Sequence, residues 1–174
     1  MALTDDILTA LDSGPIADIA QQLDLGTDQV QAVVKDALPA ILGGMAQNSQ
    51  TDEGATSLAN ALGDHANANP LGDLGSLLGG DLGGSILKHV LGGSTPDVAG
   101  AISEKAGVDS ATVQKILAIV APIVMAYLGK KVLGGGGSAD AGTVKDQVQA
   151  ESKDAASKAS TPDLGSILGS ILGR

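Results

Sequence analysis

The chain has no cysteine, no phenylalanine and no tryptophan, and Tyr127 is its one tyrosine. Without cysteine there is neither a disulfide framework nor a thiolate metal site, and thiol catalysis is excluded; the composition suits a reducing compartment. Aromatic rings supply the large rigid contacts of most binding hot spots and the stacking platforms of single-strand nucleic-acid binders, so their near absence weakens both readings. Basic residues are scarce as well. Ten lysines and arginines stand against twenty acids, and the net charge of -10 favours solubility and opposes adhesion to phosphate backbones or anionic lipid.

The N-terminal residues Met1-Ala2-Leu3-Thr4-Asp5-Asp6 lack the basic and apolar regions of a secretory leader, which gives a cytoplasmic expectation. The longest apolar run, residues 116–128, is interrupted by Pro122 and closed by Lys130 and Lys131. It falls short of the roughly 20 residues that span a bilayer, so it is expected to be a buried core helix.

What remains is aliphatic. Residues of the hydrophobic class make up 43% of the 174, nearly all Ala, Leu, Ile and Val, and the length fits one domain plus a tail. Charge is uneven along the chain: residues 1–70 carry nine Asp and Glu53 against Lys35, whereas residues 101–137 carry Glu104 and Asp109 against four lysines.

Periodicity predicts helices throughout. Thr4 is placed to cap a first helix carrying Leu3, Ile7, Leu8 and Leu11, with a second over residues 16–23. A third is expected to be capped by Thr27, with Val30, Val33, Val34, Ala37, Leu38, Ile41, Leu42 and Met45 at three-four spacing. Its opposite face holds Gln31, Lys35 and Asp36, which predicts an outer position.

The same pattern returns later in the chain. Aligning Val30 with Val113 and Pro39 with Pro122 gives one offset (113 - 30 = 83; 122 - 39 = 83), under which Ile19 meets Ile102, Thr27 meets Ser110 and Ile41-Leu42 meets Val124-Met125. The second copy is also apolar at Ile119, Val120 and Ile123, as expected of a central helix. Prolines at one point of both copies predict bent helices rather than breaks. The fold class expected is therefore all-α: a compact helical bundle from two repeated helix-turn-helix-like units, at about residues 16–45 and 98–128.

Between the copies, Thr51-Asp52-Glu53-Gly54 reads as a capped helix start. Residues 71–93 form a Gly/Leu-rich insert in which Gly75, Gly79 and Gly83 fall four apart; each glycine costs up to about 1 kcal/mol in a helix, so residues 71–84 need packing to fold, and residues 85–91 make the better helix. Residues 134–142 are expected to be a flexible Gly-rich linker after a domain ending at residue 133. Residues 143–159 have helix-forming composition but little apolar face, and read as a loose helix or as unstructured.

No catalytic constellation emerges. Asp64-His65 lacks a serine placed by any motif, and His89 follows Lys88 near a helix end, where a cation is favourable anyway. The acids match no calcium loop, and Gly134-Gly135-Gly136-Gly137 lacks the Lys-Ser/Thr ending and preceding strand of a phosphate loop. The expectation is a chain that is not an enzyme, with no cofactor, no metal and no small-molecule substrate. The short helix, glycine turn and longer helix of each unit resemble a DNA-reading motif in outline, but residues 110–121 offer only Thr112, Gln114 and Lys115 beside an apolar surface.

The two units, with Leu38-Pro39-Ala40-Ile41-Leu42 and Ala121-Pro122-Ile123-Val124-Met125, resemble the bacterial YidB-like family, a domain of unknown function (DUF937). The resemblance covers roughly residues 1–133. It implies an all-helical bundle with helix-turn-helix-like connections and carries no activity, cofactor or catalytic residue. A protein-interaction or self-association (scaffold) role leads the functional readings. A nucleic-acid-associated regulator and peripheral membrane association through the Gly/Leu segments are the alternatives, both opposed by charge and composition.

The C-terminal tail carries the one candidate interaction site. Asp163-Leu164-Gly165-Ser166-Ile167-Leu168-Gly169 echoes Asp73-Leu74-Gly75-Ser76-Leu77-Leu78-Gly79. As a helix the tail would align Leu164, Ile167, Leu168, Ile171 and Leu172, a face that gains about 1.5–3 kcal/mol per fully buried side chain. The expectation is docking on an apolar groove, with the roughly thirty residues after Gly134 able to reach the same molecule or a neighbour. The competing expectation is a frayed terminus that touches nothing.

Overall fold

Leu3, Ile7 and Leu11 return once per helical turn, and this stripe buries α1 (Leu3–Asp12) on the core. A computed structural model describes residues 3–72, 75–76, 81–134 and 140–158. Among them every regular element is helical and there is no strand. Thr4 lies inside α1 rather than capping it, and its buried hydroxyl finds no partner. The Leu3 N–H donates instead to Glu151 Oε2 at 3.1 Å, which satisfies one of the amides a helix start leaves open.

Pro15 opens α2 (Pro15–Leu23), where a missing N–H is harmless, and Asp24 closes it in the left-handed region. In α3 (Thr27–Asn48) the cap is Gly26, not Thr27: the Gln29 carboxamide reaches back to accept from the Gly26 N–H at 3.1 Å. Thr51 does cap α4 (Asp52–His65), accepting from the Gly54 N–H at 3.1 Å. After α5 (Asp81–Leu91) and a 3-10 turn come α6 (Thr95–Ala106), α7 (Ser110–Leu133) and α8 (Ala141–Lys158). Neither Pro39 nor Pro122 ends its helix, so the expected continuity through both prolines holds.

Helices α3 and α7 form the centre. α3 packs against α2, α5, α6, α7 and α8, while α7 also carries α4, α5 and α6. The outer position expected for α3 is therefore a misreading. Asp36, assigned from its charge to a solvent face, has a side chain only 2% exposed and is held by Lys105 Nζ of α6 at 2.9 Å. A buried carboxylate is tolerable there because a cation accompanies it.

Among the described residues α7 is the one helix long and apolar enough to cross a membrane, by length and composition alone. Of its most apolar 18-residue stretch 67% is buried, the environment expected of a core helix. Close helix crossings explain glycines that cost helix propensity. A methyl at Gly83 would overlap the Ala118 carbonyl, so α5 lies on α7 at a distance only glycine permits.

The reading of residues 143–159 as loose or unstructured is corrected by α8, which packs on α3 and α4. Val144, Val148, Glu151, Ser152 and Ala155 follow helical spacing and are all buried. Two of these five are polar, which hid the stripe from an apolar count. Glu151 is compensated in place: besides the Leu3 amide, its Oε1 accepts from Lys131 Nζ at 2.6 Å and from Gln147 Nε2 at 3.2 Å.

Candidate interaction groove

The C-terminal turn of α3 meets the end of α5 closely. Gly44 allows it, since a Cβ there would sit 2.6 Å from the Val90 carbonyl oxygen. Asn48 Nδ2 then donates to the carbonyls of His89 (2.8 Å) and Val90 (3.1 Å), answering acceptors that a helix end leaves unpaired. Between α4 and α5, over α3 and α7, the space stays open. It is a groove of about 320 Å³, lined by Met45 and Met125 from the central helices and by Leu58, Ala61, Ile86 and Val90 from α4 and α5.

Met45, Leu58, Val90 and Met125 are buried and form the floor, while Ala61, Ile86 and His65 are half-buried and His89 and Ser85 are exposed. A mostly apolar recess with a polar edge is the composition of a binding site. Its volume lies at the low end of the roughly 300–1,000 Å³ of ligand pockets, which suits a few aliphatic side chains better than a large ligand. The paired methionines add adaptability, since an unbranched thioether fits partners of varied shape.

Sequence reasoning gave neither histidine a role in a site; the fold brings both to this groove although they are 24 positions apart (89 - 65 = 24). Among the described residues no group of three His, Cys, Asp or Glu is placed to hold a metal ion. An apolar groove on the body was expected, but not its residues, because they come from four helices and each is unremarkable in its own segment. The interaction residues predicted from sequence, Leu164, Ile167, Leu168, Ile171 and Leu172, lie outside the described residues.

Fold and groove together define an aliphatic all-α bundle with an open apolar recess. The chain belongs to the family described as bacterial protein of unknown function (DUF937), whose family model matches residues 5–131. No curated protein and no solved structure matches the chain. The matched span ends before α8, so part of the core described above comes from sequence beyond it.

Proposed function

We propose that the chain is a non-enzymatic, cytoplasmic interaction module that associates with copies of itself through the groove between α3, α4, α5 and α7. The observation that carries the reading is the half-buried Ile86 and Ala61 over a floor of Met45, Leu58, Val90 and Met125. Water held against such a surface is released when aliphatic side chains enter, and about 25 cal/mol per Å² of apolar area is gained. The composition is consistent with this source of affinity, since aromatic anchors are lacking.

Nucleic acid is the weaker partner. Val113, Ile116, Leu117 and Val120 of α7 are fully buried, and a helix so enclosed has little surface for a DNA groove. Lys105 and Lys131 are engaged with Asp36 and Glu151 on the body itself.

The bundle is also proposed to be built from two copies of one helical unit, 16–45 and 98–128, followed by a Gly-rich linker; of the expected 134–142, residues 141 and 142 belong to α8 and residues 135–139 lie outside the described residues. Support comes from matching local geometry at the offset of 83. The Leu25 N–H donates to Ala20 O at 2.9 Å, and the Val108 N–H to Ser103 O at 3.3 Å, each just after a left-handed residue. Sedimentation equilibrium of the full chain over a wide concentration range tests the association. A mass that rises with concentration, and no longer does so in Ile86→Glu at unchanged helicity, is expected. A monomer at every concentration would overturn the reading.

A further inference from the structure

We infer that the occupant of the groove is the C-terminal tail, residues 163–173, of a second copy of the chain. The inference rests on the association proposed above and names the segment that makes it. Three observations carry it.

The first is chemical fit. The groove is lined by aliphatic and thioether side chains, and the tail offers Leu164, Ile167, Leu168, Ile171 and Leu172 at the i, i+3, i+4, i+7, i+8 spacing by which a helix fills a groove. The small residues Gly165 and Gly169 lie beside that row and would let the segment approach the walls closely.

The second is the sequence echo. The seven residues 73–79 differ from 163–169 only at Leu77, where the tail has Ile167. That pattern is joined almost directly to α5, one wall of the groove, which begins at Asp81. A segment of this composition is thus already a covalent neighbour of the groove in every copy, and the tail repeats it.

The third is reach, and it selects a second copy over the same one. Because α8 is docked, the tether is far shorter than the stretch from Gly134 suggests. Lys158 Nζ is held by Asp5 Oδ2 at 2.7 Å, on α1. From Lys158 to Leu164 there are six steps (164 - 158 = 6), at most about 20 Å of extended chain. A folded chain of this length is roughly 40 Å across by the usual size scaling. α1 packs chiefly on α2, α3, α7 and α8 and makes no comparable contact with the groove walls α4 and α5, although α8 itself touches α4. The tether therefore starts at Lys158 on the α1 face rather than at the α4 and α5 walls, and a neighbour's groove can be met without crossing the body. Tail-to-groove contact is a heterologous interface, which adds copies in sequence rather than closing after two unless the rotation forms a ring.

Complementation between two full-length variants tests this. One carries Ile167→Asp and Leu168→Asp in the tail and keeps its groove; the other carries Ile86→Glu in the groove and keeps its tail. Should Ile86→Glu unfold, Ala61→Glu at the half-buried wall replaces it. Sedimentation velocity is expected to give growing assemblies for the unaltered chain and a monomer for each variant alone. Their equimolar mixture is expected to give a dimer of twice the monomer mass that grows no further. If the tail variant assembles as well as the unaltered chain, the tail is not the occupant, although association through the groove stands. If the unaltered chain is monomeric and the tail variant gains the ability to assemble, the tail covers its own groove and the second-copy assignment is wrong. If neither chain nor mixture assembles at any concentration, this inference and the proposed association fall together.

Discussion

Asp24 closes α2 in the left-handed backbone conformation (φ 54°), as Gly107 closes α6 (φ 64°) 83 residues later (107 - 24 = 83). A residue with a Cβ is disfavoured there, and aspartate tolerates it better than most. Asp24→Gly is expected to stabilise the fold by about 0.5–1 kcal/mol, the gain in the native state exceeding the added freedom of the unfolded chain. Gly107→Ala is expected to destabilise by about 1 kcal/mol. Urea unfolding midpoints check both; a lower midpoint for Asp24→Gly would mean that the aspartate side chain contributes more than its backbone strain removes.

The buried Asp36 carboxylate stands 83 residues before Ile119 (119 - 36 = 83), and both residues are 1% exposed. Lys105→Met removes the cation from Asp36 and is expected to cost about 2–3 kcal/mol, below the roughly 3–5 kcal/mol of breaking a fully buried pair because Lys105 is itself partly solvated. Adding Asp36→Ile should restore most of that loss, since an apolar pair can replace a buried ionic one without penalty. Equal stabilities for the single and double variants would show that the carboxylate finds solvent or another donor.

Adjacent glycines in α5 separate packing from propensity. Gly84 has open space where a Cβ would go, so Gly84→Ala is expected to stabilise by about 0.5–1 kcal/mol. Gly83→Ala drives a methyl into the Ala118 carbonyl and is expected to destabilise by about 1–3 kcal/mol, propensity notwithstanding. Thermal melts of the two variants decide it, and a stabilising Gly83→Ala would contradict the close α5–α7 crossing.

The Lys158 ammonium has its pKa raised above the ordinary 10.5, first by its hydrogen bond to Asp5 and further by Asp154, with burial opposing. A raised value means that the contribution of this pair is present below the unfolded lysine's pKa and fades as pH climbs through the folded value, in the alkaline range above 10.5. An NMR titration of the Lys158 side chain is expected to show a lower midpoint in Asp5→Asn than in the unaltered chain. An unchanged midpoint would remove the Asp5 contact as its cause.

Much of the fold was readable because aliphatic residues repeat at helical spacing: Val30, Val33, Val34, Ala37, Leu38 and Ile41 are all fully buried, as their periodicity requires. Three things were not readable, for one shared reason. Asp36 and Glu151 look like surface residues until Lys105 and Lys131 arrive from other helices. Gly83 looks like a weak point until Ala118 is laid beneath it. The groove exists only when four helices are assembled, and Ile86 has no meaning as a wall without Leu58 and Met125. Period reports local amphipathicity; partners at long range have no periodic signature.

The claim at the centre of the account is that the groove is where copies meet, and side-chain methyl NMR of the full chain at increasing concentration tests it most directly. Methyl signals of Met45, Leu58, Ile86 and Met125 are predicted to shift or broaden with concentration, while those of Val113 and Ile116, deep in the bundle, stay in place. Spectra that do not change as the protein is concentrated, or changes confined to residues far from the groove, would contradict it.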